Sequence, residues 1–322
     1  MIDLTKVEPN VVQTGLDYKS FMFYGAPGTR KTTVAAQFPK SLVLATEIGY
    51  SLIPGVKAVP IANWAEFLNV LKQLEKPEVK EMYSTIVIDT VGLLTDMCVQ
   101  YICQLNQIRE LGELAYGKGW RKFNEEFRSK VNRITQLGYG LVLIAHADIK
   151  RDDSGNITSA LPQLDNKPRQ VAVALVDFIL FLQKEPKDDN EEETTVYAYS
   201  DLPSIIDTKT RARHLSKRFE FNYENLQEEV KKAVIALEKD FGESCVSDTT
   251  KDARVSEKED FDLVKEEVVK LAKELLDNKL KSPKVEAMLI DAMGGIPLSE
   301  ADKSFYNVFI SLRAALQALR DE

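Results

Sequence analysis

Little in this sequence would take the chain out of water or cross-link it. No apolar run reaches the ~18 residues that a membrane-spanning helix needs, so no membrane partner is expected. The opening MIDLTKVEPN has no basic start followed by an apolar stretch, so no secretion signal is expected and the chain reads as cytoplasmic. Cysteine is scarce. Cys98, Cys103 and Cys245 are odd in number and lack zinc spacing, which excludes a disulfide framework and points to thiols left reduced. No internal repeat and no long low-complexity segment is present. Basic charge is also short, with a net charge of −8. Much of that excess acid lies in KEPKDDNEEE (184–193) and after Asp240. The N-terminal body is left near neutral, so a local basic groove is compatible with it.

What is there is a soluble chain of 322 residues, 44% hydrophobic and 29% charged, long enough for one large domain or two modest ones. SFMFYG (20–25), SLVLATE (41–47), YSTIVIDT (83–90) and GLVLIAHAD (140–148) read as buried strands. Between them KTTVAAQF reads as a helix stopped near Pro39, and NWAEFLNVLKQLEK (63–76) as a helix with Asn63 as N-cap. Two more helices are expected at about 92–109 and 119–137. The alternation predicts an α/β fold, a mostly parallel sheet with helices on both faces. The polar stretch 149–169 reads as a mobile loop. VDFILFLQ (176–183) and TTVYAYSD (194–201) read as antiparallel partners with the acidic run at their tip, SIIDTKTRA (204–212) as another strand, and 225–241 as a helix.

Residues 242–260 carry few apolar side chains and read as a polar linker. Helical spacing resumes over 261–280, 283–293 and 299–320, with Gly294 and Gly295 as a stop and Ser299 as an N-cap. The expected division is a core over 1–241, a linker over 242–260 and a small helical appendage over 261–322.

The stretch GAPGTRKTT (25–33) is almost a phosphate-binding loop. Gly25, Lys31 and Thr32 fall into register, but Arg30 stands where the second glycine belongs. The loop follows a strand and opens a helix, the context in which backbone N–H groups of Gly25, Ala26, Gly28, Thr29, Arg30, Lys31, Thr32 and Thr33 surround a phosphate, with Pro27 shaping the turn. Lys31 would neutralise phosphate charge and Thr32 would offer its hydroxyl to Mg²⁺, so ATP and Mg²⁺ are the expected cofactors. Arginine at positive φ costs on the order of 1 kcal/mol, small beside the binding of a nucleotide. Three readings of Arg30 stand together: a tolerated substitution facing solvent, an extra cation near the phosphates, or a loss of tight binding. Asp89 ends the apolar strand TIVIDT, where it would hold Mg²⁺. The competing reading of Asp89 is a buried cap of the next helix.

The order GAPGTRKTT, VLATEIG, IVIDT, a helical stretch and VLIAHAD resembles the RecA-like P-loop NTPase core. More closely it resembles the compact phage RecA-like ATPases of the single-strand annealing and recombination (Sak-type) group, over roughly residues 18–236. The resemblance implies an ATPase that binds single-stranded DNA and promotes strand annealing or pairing. It places Glu47 as the residue that polarises the attacking water and His146 as a sensor of the terminal phosphate. An exposed strand-end glutamate and an ordinary core histidine are the bland alternatives. It implies that Lys209 and Arg211 form a Lys-x-Arg pair reaching a neighbour's nucleotide, in a homo-oligomer with ATP at its subunit interfaces. On a strand Lys209, Arg211 and Arg213 would all point one way; an exposed basic strand is the alternative.

Nucleic-acid contacts are implied at the loop 147–169, through Lys150, Arg151, Lys167 and Arg169, although acids stand at 148, 152, 153 and 165. YGKGWRKF (116–123) adds Lys118, Arg121, Lys122 and the stackable rings of Tyr116, Trp120 and Phe123. Solvated surface is the alternative for both segments. Two other functions are compatible with the same core: a nucleotide-gated adaptor that recruits a single-strand DNA-binding protein while hydrolysing little, and a ring-shaped DNA motor.

Overall fold

The computed structural model describes residues 9–187, 192–202, 206–242, 245–247, 261–278, 281–302 and 305–321. In chain order its strands are β1 (Val12–Gln13), β2 (Ser20–Gly25), β3 (Ser41–Ala45), β4 (Ala58–Pro60), β5 (Thr85–Asp89), β6 (Gly140–Arg151), β7 (Ile157–Pro162), β8 (Phe178–Pro186), β9 (Thr194–Tyr199), β10 (Lys209–Thr210), β11 (Arg218–Glu220) and β12 (Val246–Ser247). Its helices are α1 (Lys31–Ala36), α2 (Trp64–Leu74), α3 (Pro77–Met82), α4 (Val91–Leu105), α5 (Lys118–Gln136), α6 (Asn166–Leu175), α7 (Tyr223–Ile235), α8 (Leu237–Phe241), α9 (Phe261–Leu276), α10 (Ser282–Met293) and α11 (Tyr306–Asp321).

The central sheet runs β11-β9-β8-β2-β6-β5-β3-β4. From β8 to β4 every neighbouring pair is parallel. The apolar runs of β2, β3 and β5 are explained by their burial along their whole length. Side-chain alternation sorts β2 between two cores. Met22 and Tyr24 pack toward Phe67 of α2, Leu94 of α4 and Phe127 of α5. Phe21 and Phe23 pack toward Val34 of α1 and Leu226 and Val230 of α7. The α/β architecture expected from the sequence is therefore the one present. Asn63 caps α2 as its position suggested: its side chain accepts from Glu66 N at 3.0 Å.

Several local expectations are corrected. The stretch 149–169 is not a loop: β6 continues out of the sheet to Arg151, and β7 returns antiparallel beside it, with Ala147 opposite Pro162. The chain then enters α6. The turn between β6 and β7 is held by Asp152, whose carboxylate accepts from the backbone of Ser154 and Asn156 at 3.0 and 2.8 Å. The apolar positions of this hairpin, Ala147, Ile149, Ile157 and the buried Ala160, are too few among polar neighbours to announce it. The strand expected over 204–212 is only β10, paired antiparallel to β8, with residues 203–205 outside the described ones. β8 and β9 do pair antiparallel; the acidic tip at 188–191 lies outside the described residues.

The described residues fall into two compact units, within Pro9–Arg254 and within Val255–Glu322. Val246 and Ser247, in the stretch read as linker, pair in parallel with Val12 and Gln13 in the first unit. Residues 243–244 and 248–260 of that stretch lie outside the described residues. The second unit has its own core, where Val264, Val268 and Leu271 of α9 meet Phe309, Leu312 and Leu316 of α11. Gly294 closes α10 at φ 59°, the left-handed turn expected of a C-terminal glycine. Ser299 does not cap the last helix; it lies in a short 3₁₀ turn, Leu298–Glu300, and α11 begins at Tyr306. Among the described residues no helix is long and apolar enough to cross a membrane.

Candidate functional site

The parallel strands all deliver their C-terminal ends to one edge of the sheet, which is where ligands bind in such sheets. β2 ends at Gly25, in register with His146 on β6. β6 lies between β2 and β5, and Asp89 ends β5 opposite Ala45 on β3. Glu47 follows two residues after β3. Four residues scattered over the sequence are thereby set along one rim.

Gly25 is required by packing: a Cβ there would stand 2.4 Å from the backbone oxygen of Leu182 on β8. Gly28 takes φ 82°, and a Cβ built on it would meet no atom within 4 Å, leaving the loop open on that side. Arg30 sits at φ 58°, ψ 22° as the residue before α1. It adopts the left-handed conformation that glycine normally supplies, and its side chain is exposed. The substitution therefore leaves the loop's path intact and turns the guanidinium to the surface.

Lys31 is nearly buried, and its ammonium donates to Gly25 O at 3.0 Å, Ala26 O at 2.9 Å and Thr29 Oγ1 at 3.2 Å. Burial lowers its pKa to about 8, against the opposing pull of Asp89 and Glu47. Thr29 Oγ1 in turn donates to Ala26 O at 2.8 Å, tightening the turn. Thr32 Oγ1 donates to Asp89 Oδ2 at 2.5 Å. Burial raises the Asp89 carboxyl, with the Thr32 hydroxyl working the other way. A hydroxyl and a buried carboxylate in contact, one strand away from a buried lysine, are suited to Mg²⁺, which needs one or two protein oxygens beside phosphate and water. Among the described residues no cluster of three or more His, Cys, Asp or Glu could hold a metal by itself. Thr32 and Asp89 are the residues that would hold it, where it would neutralise phosphate charge.

Glu47 Oε1 lies 3.3 Å from His146 Nε2, and the two side chains are partly exposed at the rim. The Nδ1 of His146 is buried without a hydrogen-bond partner among the described residues. A carboxylate in that position could accept a proton, and the imidazole could donate to an anion. Thr46, which the sequence did not single out, ties the chain just before Glu47 to the end of β5. Its amide donates to Asp89 O at 2.7 Å, and its hydroxyl accepts from Thr90 N at 2.7 Å and donates to Thr90 O at 3.0 Å. Only its place beside Glu47 hinted at this.

The other expected residues divide. Lys118, Arg121, Lys150, Arg151 and Lys167 are exposed. Lys167, at the start of α6, sits over the Trp120 ring of α5 at 4.9 Å, so two segments far apart in sequence meet on one surface. Arg169 instead turns toward Asp207 at 3.7 Å and Asn166 at 3.0 Å. It lines a cavity of about 460 Å³ next to Glu47 and His146 that also holds Asp96, Asp148 and Asp165. Lys209, Arg211 and Arg213 do not point one way, because the strand ends at Thr210. Lys209 Nζ donates to Val173 O and Val176 O at 3.0 and 2.6 Å, Arg211 pairs with Asp177 at 2.9 Å, and Arg213 lies over the Phe241 ring.

Comparison with known proteins gives three likenesses. The family AAA_24, described as an AAA domain, matches residues 17–218. The SPbeta prophage-derived uncharacterized protein YorG of Bacillus subtilis (strain 168) is 27% identical over 279 residues, covering 85% of each chain. The KaiC-like protein PH0186 of Pyrococcus horikoshii OT3 aligns in structure over 64% of this chain and 86% of its own, at 18% identity and a TM-score of 0.36.

Proposed function

From the premise that this chain belongs to the AAA_24 family of AAA domains, P-loop ATPases, we propose that it is an ATP-hydrolysing phage recombination protein that binds single-stranded DNA and promotes strand annealing or pairing. The resemblance of its motif order to the Sak-type group favours this reading. The prophage origin of its relative supports a phage setting. Homo-oligomers with ATP at the subunit interfaces, working in the host cytoplasm, complete the reading.

One observation carries it. His146 and the exposed cations Lys150 and Arg151 stand on the same continuous strand, β6. A change in what His146 touches at the terminal phosphate is thereby passed along a strand held by β7 to groups suited to a nucleic-acid backbone. The α5–α6 surface adds Lys167 over Trp120, a ring on which a base can stack, and the exposed Lys118 and Arg121 of α5. Hydrolysis by Glu47 would then release the His146 contact and reset the grip.

The test is ATP hydrolysis and oligonucleotide annealing, measured with and without single-stranded DNA over a salt series. Expected are stimulation by DNA, affinity that weakens as salt rises, and a shallower salt slope in Arg121→Glu and Lys167→Glu. ATP hydrolysis indifferent to DNA at every salt concentration would overturn the DNA reading and leave the ATPase. An adaptor that recruits a single-strand DNA-binding protein is the second reading. It is favoured by the separately cored helical unit of α9, α10 and α11. Capture of such a protein with no DNA affinity would select it.

A further inference from the structure

Of the three aromatic rings in YGKGWRKF (116–123), the structure leaves one free. Phe123 is fully buried and stacks on Phe127 at 5.3 Å. Trp120 is half-buried, meets Phe123 edge to face, and has the Lys167 ammonium over its ring. Tyr116 is 99% exposed, and no described residue bonds to its hydroxyl or packs on its ring. We propose that Tyr116 is the residue on which a base of single-stranded DNA stacks, with the phosphates of that strand held by Lys118 and Arg121 of the adjoining α5. The inference rests on the single-stranded DNA reading above and assigns its base contact to one side chain.

Nothing in the fold asks for a tyrosine there. Tyr116 takes φ 58°, the left-handed backbone that disfavours any residue with a Cβ. Gly117 follows at φ 67°, so two left-handed residues in a row lead the chain into α5. A large ring normally stabilises a fold by burying its apolar surface. This one buries none, and glycine would suit its backbone better. The side chain therefore contributes to neither packing nor local conformation.

The cations beside it are equally uncommitted. Lys118 and Arg121 are exposed, and neither side chain has an ion-pair or hydrogen-bond partner among the described residues. They stand at the start of α5, whose first turn holds no acid, and positive charge there opposes the helix dipole. Lys122 differs, because its ammonium donates to Asn106 Oδ1. A free ring next to free cations suits a strand whose bases are unpaired. The π face of the ring takes any base, and the ammonium and guanidinium attract phosphates. Bases in a duplex are already stacked on one another, so this surface selects single strands.

The test measures binding of the full chain to a thymidine oligonucleotide, to the same strand with abasic residues, and to a duplex, over a salt series. It compares the wild type with Tyr116→Ala and Tyr116→Phe. Because the side chain is wholly exposed, Tyr116→Ala should fold as the wild type does. It is expected to bind the thymidine strand roughly 5- to 150-fold more weakly, the range for one lost base stack. Its salt slope should be unchanged, because no phosphate contact is removed. Tyr116→Phe keeps the ring and should bind like the wild type. The wild type and Tyr116→Ala should bind the abasic strand equally, and the duplex equally. Wild-type affinity of Tyr116→Ala for the thymidine strand overturns the inference and leaves the DNA reading standing. An equal loss on thymidine and abasic strands means that the ring stacks on no base, which also overturns it. So does a Tyr116→Ala that loses capture of a single-strand DNA-binding protein while its DNA affinity is unchanged. No binding of any single strand by the wild type removes the DNA reading and this inference together.

Discussion

Thr32 and Asp89 are 57 residues apart in the chain and joined in space, the hydroxyl of one donating to Oδ2 of the other at 2.5 Å. The contact ties the first turn of α1 to the end of β5 across the intervening strand β6. It keeps a buried carboxylate from standing alone, which would otherwise be costly. The same pair is where a Mg²⁺ would be held.

Replacing that charge should separate stability from function. Asp89→Asn retains the shape and removes a carboxylate that burial disfavours. Its melting temperature should equal or exceed that of the wild type. Its ATP affinity should lose the dependence on Mg²⁺ that chelation reveals in the wild type. Thermal unfolding, and ATP titration with and without chelator, check both halves.

Arg30→Gly tests the unusual loop residue. Left-handed backbone costs a non-glycine residue roughly 1–2 kcal/mol, and glycine gives back about 0.5–1 kcal/mol in unfolded-state entropy. The variant should therefore be about as stable as the wild type or up to ~1 kcal/mol more so. Because the Arg30 side chain is exposed, ATP affinity should stay within a few-fold. A tenfold loss would mean that the guanidinium touches the phosphates.

Gly25→Ala should do the reverse. The added methyl meets Leu182 O at 2.4 Å, inside the β2–β8 ladder, where neither backbone can retreat. A loss of about 1–3 kcal/mol is expected, as for overpacked cores. Nucleotide affinity should fall with it, because the loop starts at that residue. Denaturant unfolding and ATP titration on one sample measure the two effects.

Lys209→Met should reduce stability rather than turnover per folded molecule. It strips the donors from Val173 O and Val176 O, for a loss of about 1–3 kcal/mol. Burial also holds the Lys209 amine below the ordinary lysine range. As pH rises the native chain gives up that proton before the unfolded chain does. Lys209 should therefore add to the climb of stability with pH that the buried Lys31 also produces, and the methionine variant should climb less steeply. Denaturant midpoints measured at pH values below and up to the ordinary lysine value of 10.5 show the difference.

The sequence could be read where one local rule decides the outcome. Val87 and Ile88 needed only a parallel strand covered on both faces, and both are fully buried in β5. Lys31, Thr32 and Asp89 were legible because strand-end and helix-start positions fix them on one rim. The hairpin of β6 and β7 was not, since Lys150, Asp152 and Asp153 describe solvent whether the backbone is a loop or a paired strand. Lys209 and Arg211 looked equivalent because spacing of two assumes a strand, and the strand stops at Thr210.

The chain's own order of residues determined the alternating α/β core, the phosphate loop, and the rim on which Glu47, Asp89 and His146 stand. Local periodicity and turn chemistry act between near neighbours and so survive in a one-dimensional string. Tertiary structure alone decided that Arg30 turns outward, that Lys209 is consumed by α6, and that Arg211 is held by Asp177. Those outcomes depend on which distant backbone oxygens and carboxylates come within ~3 Å, a distance at which a hydrogen bond or ion pair commits a side chain.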